Sequence, residues 1–305
     1  MSRTSLRPLV LAVAAGILMM SACAAPGSST GGGASDGDGD AANVIRIGVV
    51  NSADEQWRIF TEKAAEEGLT VELTNFSDYQ LPNQGLDQGE LELNQFQHLQ
   101  FLARFNVASD TDLTPIGATA VYPLGLYSLE HDSVEDIPDG AQIAIPNDET
   151  NQARALLVLQ EAGLVELADG GDAFSTVQDV VAEGSRVTVT PVDAAQTAIA
   201  LQTGSVAASI INNDFVGDAG LSAEDAVFSD DPNGEAAEPY INVWVASSGN
   251  ADDADYATLV DIWHSPEVEA AAQEDSGGTA VFKDNSPEEL QEILAGIEED
   301  LRAQG

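Results

Sequence analysis

An alternation of short apolar strands and amphipathic helices is the feature that most constrains the fold of this chain. Residues 44–50 (VIRIGVV) predict a strand, about 54–67 an amphipathic helix, and 70–76 (TVELTNF) a second strand. A strand, a helix and a strand in this order predict a parallel βαβ unit, and hence an α/β protein. Open α/β sheets bind ligands outside the carboxyl ends of their strands. The segments that directly follow strands are therefore the first candidates for a functional site.

The rest of the chain continues the alternation and ends on a well-marked helix. Further strands are predicted at 121–129, 141–147, 187–192, 205–212 and 241–247, and further helices from Pro82, over 95–105, about 150–162, 193–202 and 286–303. In the last helix, Ser286 and Glu289 are placed to form a capping box around Pro287.

The N-terminus resembles the leader of an exported lipoprotein. Residues 9–20 form an apolar run that follows Arg7 and precedes two small residues and Cys23. This pattern predicts a signal peptide over 1–22, a lipidated Cys23, and a flexible acidic linker over 23–43. The alternative is an ordinary cleaved signal peptide in which the cysteine has no role. Lipidation would hold the protein on the outer face of the cell membrane.

Composition argues against several classes of function. The chain has 52 acidic and 10 basic residues, a net charge of -42, which disfavours nucleic acid and anionic membrane surfaces as partners. No nucleophile elbow, P-loop or zinc-protease motif occurs, and the three histidines have no zinc-ligand spacing. We therefore predict a protein that is not an enzyme, with no catalytic residue, metal site or cofactor.

Arg154 is the strongest candidate for binding an anion. Between Arg104 and Lys283 the chain has two basic residues, Arg154 and Arg186. Arg154 is predicted in the first turn of the helix after strand 141–147, where a guanidinium and helix N–H groups could hold a carboxylate. The alternative is an ion pair with one of the many acidic neighbours.

Three polar residues near strand ends or aromatic rings are weaker candidates. Asn212 ends a predicted strand and Asn242 lies in another, where neutral amides could orient a zwitterion. Turn formation is the commoner use of asparagine. His98 is predicted on helix 95–105 near two phenylalanines, a setting that also suits a histidine of the core.

Several ordered segments resemble the NlpA family of methionine-binding lipoproteins. The matching stretches are FSDYQLPNQGLDQGELELNQFQH (76–98), VYPLGLYS (121–128), IPNDETNQARALLVLQEAGLVEL (145–167) and PYINVWV (239–245). The resemblance covers about residues 44–282. It implies the substrate-binding component of an ABC importer, with methionine or a related amino acid as ligand and the permease and ATPase subunits as partners. It also implies a monomer, anchored to the membrane by lipid.

The resemblance implies a two-lobed type II periplasmic-binding-protein fold. One lobe would comprise 44–128 plus 240–305 and the other 129–239, with crossing strands near 124–129 and 236–243. The ligand would lie between the lobes and be buried when they close.

The same resemblance assigns the site residues. Four would bind the carboxylate and ammonium groups of the ligand, namely Arg154, Asn151, Asn212 and Asn242. Four would wall the thioether pocket, namely Tyr79, Phe96, His98 and Tyr122.

The chain departs from the family's usual residues at three places near the site. These are Asn51–Ser52, residues 99–101, and residues 213–216. Two alternatives therefore stay open: a protein of the same fold that binds another amino acid or a short peptide, and a lipoprotein enzyme or envelope-assembly factor built on this scaffold.

Overall fold

The computed structural model describes residues 44–304, so the predicted signal peptide, Cys23 and the whole predicted linker lie outside the described residues. The strands are β1 Val44–Val50, β2 Thr70–Phe76, β3 Leu93–His98, β4 Thr114–Ala118, β5 Ala120–Val121, β6 Gly125–Tyr127, β7 Gln142–Pro146, β8 Thr188–Val192, β9 Ala208–Ile211, β10 Phe228–Ser229, β11 Asn242–Ala246 and β12 Val281–Phe282. The helices are α1 Glu55–Glu66, α2 Pro82–Asp87, α3 Leu99–Ser109, α4 Glu149–Glu161, α5 Ala194–Gln202, α6 Asn213–Val216, α7 Ala254–Trp263, α8 Pro266–Asp275 and α9 Pro287–Gln304.

The strands form two five-stranded mixed sheets. The first has the order β2-β1-β3-β11-β4, with β1 parallel to β2 and β3 and with β11 antiparallel to its neighbours. The predicted βαβ unit is therefore confirmed, and Trp57, Phe60 and Ala64 of α1 are buried as its apolar face requires. The second sheet has the order β10-β6-β9-β7-β8, with β7 parallel to β8 and β9. A third pair joins β12 to β5.

The segments between the two sheets differ in detail from the sequence prediction. Residues 121–129 do not form one strand, because the chain leaves β5 at Val121, passes Pro123 and pairs again as β6. Strand β6 belongs to the second sheet, although it precedes the predicted lobe boundary at residue 128. On the return, Glu235–Tyr240 is a 3-10 helix and not the crossing strand predicted near 236–243. The exact lobe boundaries stay a prediction.

The helix predicted over 95–105 is wrong in its first half. Residues 93–98 form β3, the central strand of the first sheet, and all six are buried. The apparent helical pattern arises because a strand runs directly into α3 at Leu99. Asn94 and Gln97 are tolerated in a buried strand because their amides bond to each other and to Asn83 of α2, over 2.5–2.9 Å.

The C-terminal helix α9 packs on the first sheet's side of the molecule. Its buried Leu290, Leu294 and Leu301 join one hydrophobic cluster with Leu99 and Leu102 of α3. The predicted capping box is present, since Ser286 N–H donates to Glu289 Oε2 (2.9 Å) and Glu289 N–H donates to Ser286 Oγ (3.3 Å). Over residues 44–304, no helix combines the length and the apolar character that crossing a bilayer demands.

Candidate functional site

A cavity of about 190 Å³ lies where segments that follow strands of the two sheets meet. It is small beside the roughly 300–1,000 Å³ typical of sites for drug-sized ligands, which suits a solute as small as one amino acid. All eight side chains proposed from the sequence line it, namely Tyr79, Phe96, His98, Tyr122, Asn151, Arg154, Asn212 and Asn242. His98 ends β3 and Asn212 follows β9, as expected for ligand sites at the carboxyl ends of strands.

Arg154 is buried and already holds one protein carboxylate. The sequence predicted Arg154 in the first turn of its helix. Helix α4 begins at Glu149, so Arg154 lies in the second turn instead. Its Nε donates to Asp230 Oδ2 (2.7 Å), its Nη2 donates to the backbone oxygen of Tyr122 (2.9 Å), and its guanidinium lies 4.1 Å from the centre of the Tyr240 ring. Among residues 44–304, Nη1 makes no hydrogen bond. Arg154 also lines the cavity, so Nη1 is a candidate donor to a ligand.

A chain of hydrogen bonds fixes the orientation of the amide of Asn212, which lines the cavity. The Asp148 carboxylate accepts from Asn151 Nδ2 (3.0 and 3.1 Å), which turns Asn151 Oδ1 toward Asn212. Asn212 Nδ2 donates to that oxygen (3.0 Å), so Asn212 must present its own Oδ1 on the other side. This oxygen is buried, and no donor within the described residues reaches it. A buried acceptor without a partner is costly, and an ammonium group would satisfy it.

His98 is neutral and has a defined tautomer. Phe101 N–H donates to His98 Nδ1 (3.1 Å), so the ring proton is on Nε2, which faces Asn151 Oδ1 at 3.4 Å. Burial, followed by the nearby Arg154 charge, lowers the pKa of His98 to about 3. His98 therefore acts as a neutral donor, and it supports the orientation of Asn151.

Aromatic rings form the apolar wall of the cavity. Tyr79 and Phe96 lie with ring centres 6.0 Å apart, and Phe101 lies 6.2 Å from Tyr79 and 5.8 Å from Phe96. Phe215 approaches Tyr79 from the second sheet's side at 5.2 Å. Ring faces and edges of this kind suit an apolar, polarisable side chain such as a thioether.

The cavity also has an acidic side that the sequence reasoning missed. Asp54, Asp214 and Asp275 line it, and within residues 44–304 no group of three such side chains is placed to hold a metal ion. Burial, and then the charges of Asp275 and Asp214, raises the pKa of Asp54 to about 6. Burial also raises the pKa of Asp214 and of Asp275. In so acidic a chain, no sequence pattern singled out these three carboxyls.

The cavity lies between two α/β lobes and is lined by a buried arginine, several amides and a set of aromatic rings. These features define a two-lobed solute-binding protein. The chain belongs to the NlpA lipoprotein family, whose profile matches residues 45–283. This confirms the family resemblance on which the site residues were chosen.

Relatives with known roles agree with this class. The chain is 36% identical over 242 residues to the D-methionine-binding lipoprotein MetQ of Escherichia coli (strain K12), covering 78% of this chain and 88% of that protein. It is similar to the crystal structure of the substrate binding protein of a methionine transporter from Streptococcus pneumoniae, with TM-score 0.72 and 33% identity, covering 79% and 95% of the two chains. A nutrient binding protein from Burkholderia cenocepacia, solved bound to methionine, gives TM-score 0.71 and 31% identity, covering 78% and 99%.

Proposed function

We propose that this protein captures methionine between its two lobes and delivers it to an ABC importer. The proposal rests on two groups of residues that line one cavity: Nη1 of Arg154 and Oδ1 of Asn212, neither of which has a hydrogen-bond partner in the described part of the chain. A free amino acid offers a carboxylate for the first and an ammonium group for the second. The names of the relatives support methionine as the particular amino acid.

In this proposal each part of the ligand has a partner. The carboxylate lies against Nη1 of Arg154, and the ammonium group donates to Asn212 Oδ1, with Asn242 nearby as a further amide. The thioether side chain extends along Tyr79, Phe96 and Phe101, where sulfur meets aromatic rings. Asn151 and His98 contribute mainly by holding Asn212 in its orientation.

Titration calorimetry on protein that has been unfolded, dialysed and refolded tests the ligand. We expect L- or D-methionine to bind with a dissociation constant well below those of leucine, glutamine and a Met-containing dipeptide. Tighter binding of another amino acid or of the dipeptide would keep the binding class and replace methionine as ligand. The absence of binding by every member of the panel would refute the proposed function.

The proposed role also includes a membrane anchor and partners. We propose that Cys23 carries the lipid, that the linker leads to the folded part, and that a monomer delivers ligand to a permease driven by an ATPase. The lipoprotein family supports the anchor, and the relatives, which are binding proteins, support capture over catalysis. Cys23→Ser should release the protein from the membrane fraction or leave an uncleaved precursor. An unmodified wild-type protein that starts after residue 23 would contradict the anchor.

A further inference from the structure

Asp214 connects the two sides of the cavity at two points. It lies in α6, directly after β9 of the second sheet. Its carboxylate Oδ2 accepts from the hydroxyl of Tyr79 (2.7 Å), and its backbone oxygen accepts from Asn51 Nδ2 (2.6 Å). Both donors lie on loops that follow strands of the first sheet, β2 and β1. One residue of the second side is therefore held by two residues of the first.

Asn51 adopts an uncommon backbone conformation to make its bond. Its φ is +56°, in the left-handed region that non-glycine residues seldom occupy and that asparagine tolerates better than most. Glycine would adopt this conformation without steric cost, but it has no amide to donate. Glycine would therefore have the lower conformational cost at this position, whereas asparagine supplies a hydrogen bond across the cavity.

One other contact between the two sides, His98 Nε2 with Asn151 Oδ1, is buried but long at 3.4 Å. Two further contacts are exposed. Gln80 Nε2 donates to Asp193 Oδ2 (3.1 Å) in an exposed position, and Arg104 pairs with Glu149 where both side chains are largely exposed. Exposed pairs of this kind contribute little, because water and salt compete for them. The bonds of Asp214 are partly buried and therefore more effective in holding the two sides together.

We propose that Asp214, with Asn51 and Tyr79, is a clasp that forms when the lobes close and that slows the release of the ligand. This inference rests on the proposed function, because it concerns closure over the same cavity. The clasp bonds join residues on opposite sides, so an open form breaks them while each side keeps its own fold. The clasp therefore changes the rate of ligand dissociation and leaves the rate of association nearly unchanged.

Stopped-flow kinetics with methionine tests the clasp on four variants. Asn51→Gly and Asp214→Ala each remove one bond, and each should speed dissociation about 3- to 10-fold, with association within about 2-fold. Asp214→Asn keeps an acceptor for Tyr79 and should restore most of the wild-type rate. Gln80→Ala, which removes an exposed contact between the same sides, is the matched control and should behave as wild type.

The ligand-free stability of Asn51→Gly separates a clasp from a structural role. Glycine relieves the left-handed backbone, so its melting temperature should stay close to wild type while dissociation accelerates. Wild-type dissociation rates in both Asn51→Gly and Asp214→Ala would overturn the clasp.

A second measurement does not depend on methionine. Small-angle scattering of the ligand-free double variant, Asn51→Gly with Asp214→Ala, should give a larger radius of gyration than wild type. A wild-type protein that bound no methionine would refute the proposed function. Equal radii of gyration in the wild type and the double variant would refute the clasp, whatever the outcome with methionine.

Discussion

Replacing Asn212 by leucine tests how the ammonium group of the ligand is recognised. Leucine has the branching of asparagine, with two bulkier methyl groups in place of the amide oxygen and nitrogen. It offers no acceptor, so the ammonium group would lose its partner in the cavity. Hydrogen bonds that involve a charged group contribute about 1.5–3 kcal/mol, which corresponds to a loss of roughly 10- to 150-fold in methionine affinity. The fold should tolerate the change, because the buried oxygen that lacks a partner is removed with it. Asn151 Oδ1 loses the donor Nδ2 of Asn212 but still has His98 Nε2 at 3.4 Å.

A second ligand makes this test specific. Methylthiobutanoic acid is methionine without its amino group, so it cannot use the Asn212 oxygen. Wild-type protein should prefer methionine to this analogue, whereas Asn212→Leu should bind the two almost equally in titration calorimetry. Asn233→Leu, an exposed asparagine outside the cavity, is the control. If Asn212→Leu weakened both ligands by the same factor, the assignment of Asn212 to the ammonium group would be refuted.

Three further predictions concern charge and packing. Arg154→Met combined with Asp230→Asn removes a buried ion pair as a unit and should weaken methionine binding by at least about 30-fold. The control Arg186→Ala should bind normally, and wild-type affinity in the double variant would argue against a ligand carboxylate at Arg154. The pKa of Asp54 is about 6 in the folded protein, above its value in the unfolded chain, so folding favours the protonated carboxyl. This stabilisation is present at low pH and is lost as the pH rises from about 4 through 6. Asp54→Asn should therefore raise the melting temperature at pH 7.5 and leave it nearly unchanged at pH 4, and an equal shift at both pH values would contradict the raised pKa. Leu290→Ala, at a fully buried position of α9, should lower the free energy of unfolding by about 2–5 kcal/mol without changing methionine affinity, and a cost under 1 kcal/mol would mean that α9 contributes little to the core.

Local patterns predicted much of the fold because the signals lie close together in the chain. The βαβ unit at the start and the capped helix at the end each depend on residues within one or two turns or strands. The eight candidate residues could be chosen because the family resemblance located them, and they meet in one cavity. The sequence also showed that Asn51 and residues 213–216 differ from the family's usual residues. Nothing in the sequence indicated that Asn51 and Asp214 form a hydrogen bond across 163 positions.

The errors arise where distant partners decide the local structure. Residues 95–98 have apolar and amide side chains at a spacing compatible with a helix, but the amide of Gln97 is satisfied by Asn83 and that of Gln95 bonds to Thr119, both of which lie outside this strand. A strand with buried amides is stable when such partners exist and unfavourable when they do not. The pairing of Arg154 with Asp230, 76 positions away, was equally invisible. Sequence periodicity cannot decide cases in which a buried polar group depends on a remote partner.

The structure shows one of the two partners that the sequence setting of Arg154 left open, and the other stays a proposal. We expected either a ligand carboxylate or a protein carboxylate, and the structure has Asp230 bonded to Nε of Arg154, a residue that also lines the cavity. Asp230, the backbone oxygen of Tyr122 and the ring of Tyr240 together hold the guanidinium plane in place before any ligand arrives. A side chain that is already ordered loses little entropy when the ligand binds, which favours affinity. Because Asp230 already pairs with this guanidinium, the proposed recognition of a ligand carboxylate would depend on the direction of the remaining N–H groups more than on long-range attraction.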